Sequence, residues 1–315
     1  MIEQFKNDVD TYLSKSPKSL PSKYFYDEIG DQLFVEIMNM PEYYLTRAEF
    51  EIFNNQTEEI VKSFNVKKDT YFELIELGAG DGTKTKMLLK YLLEHDYHFH
   101  YFPIDISQNA LNKLEYSLKE ELPSIEVQTY QGDYFKVLSS FKNNPNQKVL
   151  LFLGSNIGNM TDKQATDFLY ELGSNLSNND RLLLGVDLIK SKEIVLPAYN
   201  DRKGITRKFN LNLLSRINKE LDGHFQLENF EHVPEYTEQE GIAKSFILSK
   251  ENQTVKIEKL NKKFSFKKGE KIHTEISRKY DDKVISTIIK DTDFSIENKF
   301  IDSKNIFADY MLKRN

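Results

Sequence analysis

The run Phe72-Glu-Leu-Ile-Glu-Leu-Gly-Ala-Gly-Asp-Gly-Thr-Lys84 decides how this chain is read. Four of the six residues before Gly78 are apolar, three glycines follow, and Lys86-Met-Leu-Leu-Lys-Tyr-Leu-Leu93 then carries a helical pattern. That order predicts a buried strand, a tight turn and a helix. Glycines at 78, 80 and 82 let the backbone turn sharply and let a ligand approach main-chain N–H groups at a helix start, as nucleotide-like ligands do. The spacing Gly78-Ala-Gly-Asp-Gly82 is not the G-x-G-x-x-G of dinucleotide sites, which disfavours a nicotinamide oxidoreductase. Glu76, two residues before the first glycine, would repel a pyrophosphate and suits a cationic or amine-bearing ligand. The bland alternative is a tight turn with no ligand.

The loop resembles the first motif of S-adenosylmethionine-dependent methyltransferases, and the chain around it repeats the same alternation. Strands are expected at 98–104, 125–130, 148–153 and 181–187, with helices opening after Ser107 and running over 161–176. Five strands alternating with helices suit a parallel sheet with right-handed crossovers. Asn143-Asn-Pro-Asn-Gln147 reads as a loop. From about 192 to 277 the pattern changes: one helical piece at 209–221 is followed by strand-like runs at 242–248, 254–260 and 262–266 with no helices between them. This span is expected to form an inserted second domain with an antiparallel sheet. A helix at 281–291 and strands at 292–301 and 307–312 close the chain.

Composition narrows the class. With 315 residues, 29% charged and 39% hydrophobic, the chain reads as globular, and a net charge of −6 with no lysine-rich tract argues against a nucleic-acid partner. The absence of cysteine removes disulfide and thiolate chemistry. The acidic start, Met1-Ile-Glu-Gln-Phe-Lys-Asn-Asp-Val-Asp, reads as neither signal peptide nor membrane anchor, so a cytoplasmic protein is expected. Histidines at 95, 98, 100, 224, 232 and 273 show no metal-ligand spacing, and no P-loop, zincin or G-x-S-x-G motif is present.

Ligands of such sheets bind at the carboxyl ends of the strands. Asp105, ending the second strand, is placed to hydrogen-bond ribose hydroxyls, with a helix cap as the alternative. Asp133, after the third, could meet an adenine amino group with Tyr134 beside the ring, or could be a turn residue. Asn159, in Gly154-Ser-Asn-Ile-Gly-Asn159, could orient a reacting group, since a primary amide both donates and accepts. Tyr26 and Tyr43 flank turns, where a phenol can point into a cleft. In Ile272-His-Thr-Glu-Ile-Ser277, strand alternation puts His273, Glu275 and Ser277 on one face, able to grip a polar, imidazole-like substrate or simply to face water.

Taken together, Tyr26-Asp-Glu-Ile-Gly30, Pro41-Glu-Tyr-Tyr-Leu-Thr-Arg47, Glu76-Leu-Gly-Ala-Gly80, Leu153-Gly-Ser-Asn-Ile-Gly-Asn159, Ala198-Tyr-Asn-Asp201 and Ile272-His-Thr-Glu-Ile-Ser277 resemble the histidine-specific Nα-methyltransferase family of ergothioneine biosynthesis. The resemblance implies an α/β fold: a Rossmann-like class I methyltransferase sheet over 61–191 and 278–315, and an α+β substrate domain built from 1–60 and the insertion 192–277. By resemblance, Glu76, Gly78, Gly80, Lys84, Asp105, Asp133 and Tyr134 would serve S-adenosyl-L-methionine. Tyr43, Gly154, Asn159 and Tyr199 would hold the amino acid's amino and carboxylate groups, and Tyr26, Glu275 and Ser277 would meet the imidazole, with Asn159 and Tyr43 closest to the chemistry. No metal and no macromolecular partner is implied, and a monomer is favoured. Where histidine-methylating members tend to have Arg-Ile-Glu-Met, this chain has Gly241-Ile-Ala-Lys244, so a methyltransferase for another small amine or modified amino acid stays open, as does a non-catalytic cofactor-binding protein.

Overall fold

The computed structural model describes residues 2–142 and 144–315; Met1 and Asn143, the first residue of the loop expected at 143–147, lie outside it. The chain divides into two compact units, Leu45–Ile189 with Arg278–Asn315, and Met1–Tyr44 with Lys190–Ser277.

The unit that holds the glycine run is built on seven strands: β1 (Phe72–Leu77), β2 (Phe99–Asp105), β3 (Tyr130–Gln131), β4 (Gln147–Phe152), β5 (Arg181–Asp187), β6 (Phe294–Ile301) and β7 (Phe307–Arg314). Their order across the sheet is β6-β7-β5-β4-β1-β2-β3. The first five are parallel, and β7 runs antiparallel between β5 and β6. Helices cover both faces of such a sheet, which is why β1 and β5 read as nearly continuous apolar runs and are buried along their whole length. The strand order reverses between β1 and β4, so the loops leaving those two strands border the crevice where ligands of this architecture bind.

Two expectations need correction. The third strand shrinks from 125–130 to Tyr130–Gln131, with one further bridge from Val127 to Tyr101; as the edge of the sheet it is held from one side only. The first boundary falls after Tyr44 and not at residue 60, because the helix Leu45–Ser63 packs on the helix Thr85–Glu94 and on β6 and β7.

In the other unit a four-stranded sheet runs in the order Lys18–Ser19, Lys271–Arg278, Ile242–Ser249, Phe230–Thr237. Lys18 pairs with Ile272 and Ser19 with His273, which ties the N-terminal segment to the inserted one. The strand Ile242–Ser249 alternates, with Ala243, Ser245, Ile247 and Ser249 buried. Its neighbour Phe230–Thr237 is absent from the sequence reading because Pro234 breaks the pattern; at the edge of a sheet that proline is tolerated. The helix Ile205–Leu221 lies in the core of this unit with Phe5, Phe25, Ile247 and Ile272.

Candidate active site

At the end of β1 the chain enters the glycine loop with φ of +74° at Gly78 and +56° at Gly80. Side chains other than glycine rarely adopt that left-handed backbone. A Cβ on Gly78 would sit 2.9 Å from Tyr134 Oη and 3.3 Å from Asn156 Nδ2, whereas a Cβ on Gly80 would meet nothing within 4 Å. Open space therefore begins above Gly80, walled on the Gly78 side by Tyr134 and Asn156.

Asp105, at the end of β2, accepts the Gly80 N–H at 3.3 Å through Oδ2 and the Ser107 N–H at 2.9 Å through Oδ1. One carboxylate thus joins the glycine loop to the start of the next helix. Asp133 caps the helix Tyr134–Phe141 by accepting the Phe135 and Lys136 N–H groups with Oδ1 alone. Where the sequence offered a turn residue as the alternative, the structure has a helix cap, and it leaves Oδ2 without a bond among the described residues. Tyr134 is half-buried against Phe152, and burial, with the charges of Asp105 and Asp133, raises its phenol above the ordinary tyrosine range.

Glu76 lies beneath this loop. It is buried and accepts the Thr85 hydroxyl at 2.8 Å and the Tyr101 hydroxyl, which fastens β1 to the helix Thr85–Glu94. Burial pushes its pKa up to about 7 against the opposing effect of those two hydroxyls. Each of its carboxylate oxygens accepts one of those hydroxyls.

The loop after β4 also turns through left-handed positions, +71° at Gly154 and +58° at Ser155. Asn156–Asn159 forms one 3-10 turn; Asn159 is exposed, and Asn156 directs its amide toward the glycine loop. Beneath both loops lies Glu49, from the helix Leu45–Ser63, which accepts the Gly154 N–H at 2.8 and 3.1 Å and pairs with Lys84. Lys84 is one-fifth exposed while Glu49 is buried. Burial works against the Lys84 charge, yet Glu49 outweighs it and, with Asp309 and Glu76, holds the lysine pKa above its ordinary value.

The sequence reading overlooked Glu49 and Asn156. A signal for Glu49 was present: with Leu45, Ala48, Ile52 and Phe53 it falls on the buried face of its helix, where an unpaired carboxylate would be costly.

In the other unit Tyr199, buried at the end of the helix Lys192–Tyr199, donates its hydroxyl to Ser277 Oγ at 2.8 Å. Tyr26, Phe34 and Phe209 form edge and tilted ring contacts at 5.6 to 5.9 Å, and Tyr43 meets Phe34 edge-on at 6.4 Å. Glu275 and His273 are half-buried, and the ring of His273 lies 5.3 Å from that of Phe246. Lys244 is bound to Glu240 at 2.7 Å.

Residues 5–314 match the family described as histidine-specific methyltransferase, SAM-dependent. The chain belongs to this family. It is 35% identical over 278 residues to the histidine N-alpha-methyltransferase of Mycolicibacterium smegmatis, covering 88% of this chain and 85% of that one. The protein of the same name from Mycobacterium tuberculosis is also 35% identical, over 87% of this chain and 84% of its own. Ergothioneine biosynthesis protein 1 of Schizosaccharomyces pombe is 32% identical over 92% of this chain and 38% of that longer protein. As a member of the family the chain is an S-adenosylmethionine-dependent methyltransferase with the Rossmann-like fold described above. The pocket suits that cofactor on its own geometry: open space over Gly80, a carboxylate at the end of β2, an available Oδ2 on Asp133 and a cation at Lys84. Among the described residues no helix is long and apolar enough to cross a membrane, and no group of three or more histidine and acidic residues could hold a metal ion.

Proposed function

We propose that this enzyme methylates the α-amino group of free L-histidine, ending at the trimethyl betaine, and that the product enters ergothioneine biosynthesis in the cytoplasm. The observation that carries the reading is 35% identity to a histidine N-alpha-methyltransferase across 88% of the chain. When bound, S-adenosylmethionine supplies a methyl group activated by its sulfonium charge.

The chain's residues then have to position, since an aligned amine needs little further assistance. Asp105 holds ribose hydroxyls, Asp133 Oδ2 takes an adenine amino group beside Tyr134, and Lys84 faces the cofactor carboxylate. Gly78 and Gly80 leave the backbone bare for the cofactor to lie against, with Glu76 bracing the loop from below. Asn159 orients the amine from the loop that begins at Gly154. Tyr43 and Tyr199 take the carboxylate, and Tyr26, Glu275 and Ser277 read the imidazole. The Tyr199 to Ser277 bond puts two of those hydroxyls within reach of each other, and Tyr199 would turn its one proton from Ser277 to the substrate carboxylate.

Mass spectrometry of reactions with S-adenosylmethionine and a panel of amino acids is the test. Histidine gaining one, two and then three methyl groups is the expected result; turnover of another amine with none on histidine would overturn the substrate assignment.

A further inference from the structure

We propose that Glu49 is a positioning residue that couples the cofactor and amino-acid sites, because one buried carboxylate holds both Lys84 and the backbone of Gly154. The inference rests on the reading of Lys84 and Gly154 given above. Glu49 itself faces neither ligand. Both of its oxygens accept the Gly154 N–H, at 2.8 and 3.1 Å, and Oε2 also meets the Lys84 ammonium. The Lys84 side chain arches over this carboxylate, so a Cβ placed on Gly154 would lie 3.7 Å from Nζ.

Beneath Glu49 the structure is closed. Asp309 on β7 is fully buried, and neither of its oxygens has a hydrogen-bond partner among the described residues. Burial, followed by the neighbouring Glu49 charge, pushes the Asp309 carboxyl well above the usual carboxylate range, with Lys84 opposing. Gly185 on β5 admits both acids, since a Cβ there would run into Glu49 Oε1 and lie 2.9 Å from Asp309 Oδ1. Glu49 is thus packed against Gly185 and fully buried, with its two oxygens on the Gly154 N–H. The Lys84 ammonium is pinned by a carboxylate that is itself pinned to the amino-acid loop.

The test is Glu49→Gln, Lys84→Met and the double variant, read by calorimetric titration with S-adenosylhomocysteine and by steady-state kinetics on histidine. An amide at 49 keeps one acceptor oxygen but loses the charge that holds the ammonium, so E49Q should weaken S-adenosylhomocysteine binding about tenfold. A neutral amide also holds the Gly154 N–H less strongly than a carboxylate, so the KM for histidine should rise, and an unchanged KM would overturn the coupling. Because Glu49 reaches the cofactor only through Lys84, E49Q added to K84M should change that affinity by no more than about twofold, whereas independent sites would multiply. Multiplied losses, or E49Q binding both ligands as the unaltered protein does, would overturn the proposal. Should E49Q not fold, amide exchange of the unaltered protein decides: slow exchange of the Gly154 N–H without ligand supports the anchor, and fast exchange refutes it. If the unaltered protein binds no S-adenosylhomocysteine, the cofactor reading has failed and not this inference alone.

Discussion

Gly80→Ala separates what the backbone needs from what the ligand needs. Gly80 has φ +56°, and a Cβ there meets no protein atom within 4 Å, so the folded chain gains no clash from the substitution. What remains is the left-handed conformation, about 1–2 kcal/mol for a residue with a Cβ. For a domain of this size that lowers Tm by about 2–8 °C. Gly204 is the matched control: φ +71°, again nothing within 4 Å, at the start of the helix Ile205–Leu221 in the other unit. Gly204→Ala should cost its unit a similar amount and leave the cofactor alone. At Gly80 the methyl group instead enters the space assigned to S-adenosylmethionine. Inserting a methyl into a filled site costs about 1–3 kcal/mol, which weakens S-adenosylhomocysteine binding by roughly 5- to 150-fold. Urea or thermal melts give the stabilities, and calorimetric titration gives the affinities. If G80A melts lower yet binds as tightly as the unaltered protein, the cofactor does not lie over Gly80; if G204A weakens binding as much as G80A, the loss comes from stability and the argument from open space is wrong.

Glu275→Ala should raise the KM for histidine while leaving S-adenosylhomocysteine affinity unchanged; equal effects on both ligands would contradict its role as a reader of the imidazole. Lys279 and Asp187 form a fully buried ion pair at 2.7 Å, so Lys279→Met removes a countercharge from a buried carboxylate and should cost about 3–5 kcal/mol in urea melts, with much of it recovered on adding Asp187→Asn. No recovery in the double variant would show that packing and not charge is at stake. Burial holds His232 down to about 4, with Arg207 adding to the effect and Asp201 opposing it. The group stays neutral in the folded state, so its contribution is present above the unfolded value near 6.5 and drains away as pH falls from there through about 4, roughly 3 kcal/mol in all. His232→Leu should flatten that part of the stability profile, and an unchanged profile would assign the acid sensitivity elsewhere.

The parallel sheet was legible because its strands are buried on both faces, so Phe72–Leu77 and Arg181–Asp187 declare themselves as apolar runs closed by glycine or acid. The site was legible where a residue type is required by backbone geometry, as at Gly78 and Gly80, or stands at the end of a strand, as Asp105 does. What stayed hidden depends on tertiary partners. Pro197 lies inside the helix Lys192–Tyr199 and Pro234 inside an edge strand, and each breaks a local pattern that packing then overrides. The helical pattern puts Glu49 on a buried face, but its partners stayed hidden because they lie 35 and 105 residues away. The same distance effect explains Glu76: position in the motif is visible in sequence, but not that Thr85 and Tyr101 turn its carboxylate under the loop.

Lys244 was the feature of the sequence that pointed away from histidine, and its surroundings change its meaning. A bare ammonium near the residues proposed to read the ring would repel a protonated imidazole and invite an acidic substrate. Lys244 is not bare: Glu240, four residues earlier across the turn into its strand, holds it at 2.7 Å. Its strand neighbours Ala243 and Ser245 are buried, which turns Lys244 and Phe246 to the less buried face. His273 shares that environment. Burial lowers its pKa below the ordinary histidine value, a backbone bond at Glu275 opposes this, and the Lys244 charge adds to the lowering. The Lys244 charge is thus felt at His273, and it comes from one half of an ion pair. A neutral imidazole meets no charge penalty there, while a substrate carboxylate would have to compete with Glu240 for the ammonium. The pairing therefore weakens the argument from Lys244 against histidine. It also makes Glu240→Gln informative, because that change alone frees Lys244 and should raise the KM for histidine more at pH 6, where the substrate ring is partly charged, than at pH 8. An equal rise at both pH values would show that Lys244 does not act on the ring through its charge.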